Sequence, residues 1–448
     1  MGRQIETLAR FVAEARADDI PEAVRAHAVV TLRDTLGVIL AGSIRPEVAA
    51  LRVRLSGGGA TVYAPGWPAS DARTAALING IAGRAIELCE GLRLVSGQAA
   101  LQVLPGVLAV AEEAGRSGRD ILAAFILGYE VAGRLAHGFT PRPLAHQNGQ
   151  VSLIAAAAAG ARLRGLDAAG VSLAMRIAVT LVLTPSYTNA VAGATALNVA
   201  GGMSGFAAAL APELARAGFA AQPDAIEEGL SQLVGDGFAP ARLTDGLGSD
   251  WQITKNYFRL YACCNPIHPA LDCLAAALAE LKPTPEEIAA IDIATYRFAS
   301  VMRNPDPPNY FASKYSLPHA AAVMAVRGGA GYAELDDSAL ADPVVVALRR
   351  KVRIAEDPAM SALTPKLRPA RVTVTLADGR GVTVARDSHR GDFSEPFTEA
   401  ELRAKFRELA GTVLLPQGVA AVERAIDGIE EWPDMSDLTG LLRRYGRG

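Results

Sequence analysis

Two cations, two thiols and an imidazole crowd the segment KNYFRLYACCNPIHPALD, residues 255–272, directly ahead of an apolar helical pattern. On a helix, Lys255 and Arg259 lie one turn apart. A helix entrance also presents unpaired backbone donors and the positive end of the dipole, so cations there favour an anionic ligand. The segment therefore predicts a carboxylate-binding active site. Cys264 and His268 have the i, i+4 spacing of zinc ligands. A structural zinc takes four ligands, however, and the neighbourhood supplies no obvious third, so no metal is expected. The four cysteines, Cys89, Cys263, Cys264 and Cys273, contain no CxxC pair and are expected to be free thiols in a reducing compartment.

The elements that must position these groups fall into two textures. From residue 4 to about 255, apolar residues recur at spacings of three and four, Ala is abundant, and Pro or Gly punctuates the ends, which predicts helix after helix. The stretch Asp34 to Ser43 is apolar on all sides and reads as a central buried helix, with Gly37 and Gly42 permitting close contacts. Beyond Pro269, IAAIDIATYRFA and ARVTVTLADGRGVTVARD show β-branched alternation, the second with a hairpin turn at Asp378-Gly379. Helices return after His389, where Thr398 and Glu401 have the spacing of a capping box. The expected fold is mainly α. An all-helical domain from residues 1–264 and 396–448 carries an inserted, smaller α/β lid domain, 265–395, and the crevice between them is the natural ligand site.

The chain has 448 residues, half of them hydrophobic, and a net charge of −3 with both signs interspersed. No basic stripe marks a nucleic-acid surface. No window has the length and apolarity of a membrane span, and the N-terminal stretch lacks the uninterrupted apolar run of a signal peptide, so a cytoplasmic location is expected. Nucleotide motifs are absent, and SGGGATVYAPG near Gly57 reads as a glycine-rich turn. A small-molecule substrate is the remaining class.

Six segments occur in a telling order: DTLGVILAG, HQNGQVSLIAAAAAGARLRGLD, YACCNPIHPALD, KYSLPHAAAVMAV, DPVVVALRRKV and RGDFSEPFTEAELRAKF. Together, from about residue 30 to 410, they resemble the MmgE/PrpD family. Members of that family dehydrate, decarboxylate or epimerise small carboxylic acids. The resemblance implies a homodimer with no metal or organic cofactor. It also implies chemistry by proton transfer at a carbon next to a carboxylate, which needs a base, an acid and cations to hold the substrate. His146 falls at the family's histidine ahead of the Ala-rich helix, and Arg259 at its lysine before the aromatic residue, where a guanidinium grips carboxylate with two hydrogen bonds.

Departures from the family pattern are concentrated in RAIELCEGLRLVSGQAALQVLP. Dehydratase-like members carry an HALDFDDTH-like run there, and this chain has Arg84, Glu87, Cys89, Glu90, Gly91 and Leu92 at the matching positions. Gln98 replaces a histidine. Glu87 keeps a carboxylate, for a base or a binding role. Thr195 and Asn198 stand near a position that is usually lysine, and His319 stands where relatives commonly have tyrosine. Cys264 is either a buried structural thiol or, with a lowered pKa, an acid or base. The expected catalytic residues are His146, His319, Glu87 and Cys264. The expected binding residues for a small carboxylate are Arg259, Lys255, Gln98 and His268, with His268 alternatively fixing its loop. His146 and His319 on opposite faces of a substrate would suit epimerisation. The competing reading is a catalytically altered, carboxylate-binding or structural homodimer.

Overall fold

The computed structural model describes residues 3–54, 57–93, 95 and 97–447. Ser56, in the glycine-rich turn, and Leu94 and Ser96, in the departing segment, lie outside that description.

Helix Glu22–Gly42 is buried on every face from Thr31 to Gly42, as its uniform apolarity predicts. Helices press on it from two directions. A Cβ at Gly42 would stand 1.9 Å from the carbonyl oxygen of Ala82, and one at Gly37 would stand 3.1 Å from the Phe406 ring. Ala82 belongs to helix Ala72–Arg84, and Phe406 to helix Glu399–Ala410. Lys405 reaches from the latter to Asp34 Oδ1 at 2.6 Å and to the Leu88 carbonyl at 2.9 Å, so the C-terminal helices pack among the N-terminal ones. Helices Ala99–Ala114, Gly118–Gly138, Val151–Leu163 and Asn198–Arg216 complete this core.

A second core surrounds a four-stranded sheet with the order Gly381–Arg386, Ala370–Leu376, Ile288–Thr295, Val352–Glu356. Only the last pair is parallel. Alternation along Ala370–Leu376 sends Val372, Val374 and Leu376 inward. There they share a cluster with Leu271 and Leu274 of helix His268–Leu281 and with Val323 of helix Leu317–Arg327. The hairpin closes through 377–380, with Gly379 at φ +90. Thr398 and Glu401 form the capping box.

The region before residue 255 is not purely helical. Among the described residues three short antiparallel ladders interrupt it: Ala60–Thr61 with Ala69–Ser70, Phe139–Pro141 with Gly235–Phe238, and Gly91–Leu92 with Asn256–Tyr257. The third corrects the reading of the 255–272 segment. Residues 256–257 are extended, so Lys255 and Arg259 do not share a helical face. Among the described residues, no helix is long and apolar enough to cross a membrane.

Candidate active site

Glu87 follows the end of helix Ala72–Arg84 in a left-handed backbone conformation, φ +52, which a side chain bearing a Cβ adopts at a cost. Its carboxylate is buried and fully engaged. Arg84 pairs with Oε2, Tyr315 Oη donates to Oε2 at 2.8 Å, and Arg259 Nη1 donates to Oε1 at 2.6 Å. Arg84 Nη2 donates to Tyr315 Oη at 2.5 Å, and Arg259 Nη2 donates to Tyr257 Oη at 3.2 Å. Two guanidinium groups thus share one carboxylate, and the cluster keeps an excess positive charge.

The ladder Gly91–Leu92 with Asn256–Tyr257 places Arg259 against Glu87. It requires glycine at 91, because a Cβ there would lie 2.4 Å from Tyr257 Oη. Glu90, beside it, turns inward. Its Oε1 accepts from Ala100 N at 2.7 Å, at the start of helix Ala99–Ala114, and its Oε2 accepts from Tyr129 Oη at 2.7 Å. Burial, only partly offset by those two hydrogen bonds, raises its pKa to about 7.

His146 sits in the loop ahead of helix Val151–Leu163. That loop is pinned to the chain near Tyr187, since His146 N donates to the Pro185 carbonyl at 2.8 Å and Tyr187 N donates to the Leu144 carbonyl at 2.8 Å. The pinning stacks the two rings, with centroids 5.5 Å apart and planes inclined by 16°. Tyr187 Oη lies 3.6 Å from Cys264 Sγ. Burial, reinforced by the charges of Arg84 and Arg259, holds the His146 pKa well below the usual imidazole value, so the ring is neutral near pH 7. Nδ1 accepts from Asn148 N–H at 3.2 Å, which places the ring proton on Nε2. Burial pushes the Cys264 thiol up despite the nearby Arg259, so it is a neutral thiol rather than a thiolate.

One cavity of ≈ 90 Å³ unites this chemistry, lined by Glu87, Gln98, His146, Arg259 and Cys264 of the residues anticipated from sequence. Gln98 Oε1 is buried and unpartnered among the described residues. Three anticipated residues are elsewhere. Lys255 pairs with Asp250 at 2.5 Å, because the residues after it enter the short ladder rather than a helix. His268 is buried under its own loop, with Nε2 3.0 Å from the Cys263 carbonyl, and it packs edge-on against Tyr261 and His389; it fixes the loop. His319 lies in the first turn of helix Leu317–Arg327 with Nδ1 3.4 Å from Arg349 Nη1, and burial beside that cation lowers its pKa to about 3. It does not line the cavity, so the pairing of His146 with His319 across a substrate is corrected. Thr195 is exposed and Asn198 is buried, and neither reaches the cavity.

Sequence reasoning passed over Tyr187, Tyr315 and Arg368, which also line the cavity. Tyr315 lies four residues before His319 in the same KYSLPH run, so that motif carried the signal at a different residue. Arg368 donates to Asn265 Oδ1 and to the Arg93 carbonyl and makes no ion pair among the described residues. Nothing in its local sequence marks it. Among the described residues, no group of three or more His, Cys, Asp or Glu side chains is arranged to share a metal ion.

A largely helical protein with a small mixed sheet and a buried, cation-lined cavity is the class this geometry defines. The MmgE/PrpD N-terminal domain matches residues 6–242 and the MmgE/PrpD C-terminal domain matches residues 261–430, so the chain belongs to the MmgE/PrpD family. The chain is similar to human cis-aconitate decarboxylase, at 25% identity over 82% of this chain and 79% of that protein. It is also similar to the cis-aconitate decarboxylase of Aspergillus terreus, at 26% over 76% and 75%. A third relative is the cis-aconitate decarboxylase-like protein oryM of Aspergillus oryzae, at 25% over 98% and 97%.

Proposed function

We propose that this protein is a lyase that decarboxylates a small, unsaturated polycarboxylic acid through an enolate-like intermediate. One observation carries the reading: among the described residues His146 is the only imidazole lining the cavity, and the guanidinium-bearing residues Arg259 and Arg368 line it too. Dehydration and epimerisation each ask for a base and an acid at the substrate. Decarboxylation asks for a cationic hold on a carboxylate that stays, a place where the departing carboxylate is poorly solvated, and one proton for the carbon left behind.

In this scheme Arg259 and Arg368 hold the retained carboxylate, and the departing one lies beside the aromatic lining residues Tyr187 and Phe298. The carbon–carboxylate bond breaks and its electron pair passes into the adjacent unsaturated system, where the same cations stabilise it. The carbon then takes the Nε2 proton of His146. Loss of that proton leaves an imidazolate, whose negative charge the neighbouring Arg84 and Arg259 stabilise, and solvent returns the proton. Glu87 anchors the two arginines, and Cys264 remains a neutral wall. Similarity to proteins named cis-aconitate decarboxylase supports this branch over dehydration or epimerisation.

The test is ¹³C NMR of the protein with cis-aconitate, citrate and methylcitrate in D₂O. Release of labelled CO₂ with one deuterium in the product is expected for an unsaturated acid. Loss of water without CO₂, or inversion with deuterium exchange, would transfer the protein to the dehydratase or epimerase branch. Binding with neither product nor exchange would make it a carboxylate-binding protein.

A further inference from the structure

The reaction cavity, at ≈ 90 Å³, has room for a carboxylate and a few atoms beyond it, well below the several hundred Å³ of an ordinary ligand pocket. A polycarboxylate must extend out of it. Two larger cavities adjoin it, and both share Arg368 with it. One, ≈ 530 Å³, carries the exposed Phe298 and Val301 and, among the described residues, has no buried polar atom lacking a partner. The other, ≈ 370 Å³, also shares Gln147 with the reaction cavity and is different in character.

Arg93, Arg242, Arg368 and His137 line this second antechamber, and among the described residues no Asp or Glu does. Arg93 is already engaged, by Asp392 at 2.7 Å and by the carbonyls of Pro365 and Lys366. Arg368 makes no ion pair, and the exposed side chain of Arg242 has neither a hydrogen bond nor an ion pair among the described residues. Gln150 is 1% exposed, yet both its amide oxygen and its amide nitrogen lack a partner among the described residues. A buried, unpaired amide costs stability unless something completes it. Here it borders a cavity whose charged lining is wholly cationic, at the entrance of helix Val151–Leu163.

We propose that this antechamber is a second anion subsite, in which Arg242, Gln150 and Arg368 hold a distal carboxylate of the substrate while its reacting end occupies the inner cavity. The assignment rests on the reading of the inner cavity as a carboxylate site. It makes the substrate an elongated polycarboxylate that spans both spaces, with Arg368 between its two anionic ends.

Ligand-observed NMR titrations with butyrate, glutarate and adipate test it. In the unaltered protein at least one dicarboxylate binds more tightly than butyrate. Arg242→Gln and Gln150→Leu each weaken that dicarboxylate by about tenfold or more, the scale of a lost hydrogen bond to a charged group, and leave butyrate within about twofold. Arg259→Gln weakens all three acids. Dicarboxylates binding no better than butyrate, or an advantage that survives both antechamber variants, overturns the subsite. If Arg259→Gln changes nothing, the inner-cavity reading fails and takes the subsite with it. Arg242 is exposed and without partners, so its variant separates binding from folding.

Discussion

Replacing Glu87 by Gln separates an anchoring carboxylate from a catalytic base. The native group is 2% exposed and is shared by Arg84, Arg259 and Tyr315. Glutamine has nearly the same shape but removes the single negative charge between two buried guanidinium groups, and it turns one acceptor into a donor facing another donor. Breaking a buried ion pair from one side costs about 3–5 kcal/mol. With an unfolding entropy of about 2 cal/mol/K per residue, the 448-residue chain unfolding as one unit loses about 1 °C of Tm for each kcal/mol. Differential scanning fluorimetry should therefore show Tm lowered by about 3–5 °C. Carboxylate binding at low salt should hold or strengthen, because the cluster gains net positive charge. The reasoning fails if Glu87→Gln leaves Tm unchanged and abolishes deuterium incorporation, since that result describes a free base rather than a bridge.

Other consequences are independent of that one. Cys264→Ser should retain turnover within about threefold, and iodoacetamide should leave the native protein active at pH 7, because burial keeps this thiol neutral. Glu90 has a folded pKa of about 7 against an ordinary value of 4.5, so its contribution to stability is full below about pH 4.5 and is lost as pH rises through 7. Urea titrations should show native stability falling by up to about 3 kcal/mol across that window relative to Glu90→Gln, in which the slope disappears. His146 is neutral throughout the range near pH 7, so log kcat/KM should show no imidazole limb between pH 6 and 8. A limb near 6.5 that vanishes in His146→Gln would contradict the assignment. Tyr315→Phe should cost about 1.5–3 kcal/mol in urea unfolding through the lost bond to the charged Glu87.

The elements that could be read from sequence are those whose neighbours in the chain determine them. Uniform apolarity marked the buried helix at Asp34–Ser43, alternation marked the strand Ala370–Leu376, and the Thr398 to Glu401 spacing marked a capping box. The ordered motifs also led to His146 and Arg259, which line one cavity although more than a hundred positions separate them. Local spacing misled where a distant partner intervened. Pairing of Asn256–Tyr257 with Gly91–Leu92 straightens the chain after Lys255, and no helical period survives there to aim that lysine at the cavity. His319 stands out in the sequence as an unusual residue at its position, whereas the site is set by Tyr315, the side chain that reaches Glu87. Arg368 is brought in by the path of the 365–368 loop across Asn265 and Arg93, a contact between remote segments with no local pattern.

The most direct measurement is CO₂ release from cis-aconitate by the native protein and by His146→Gln, with carboxylate affinity followed in parallel. If His146 delivers the proton from Nε2, turnover falls by about a hundredfold or more while the dissociation constant for the acid changes by less than about threefold. Native-like turnover in His146→Gln would contradict the account, because the carbon would then draw its proton from another group.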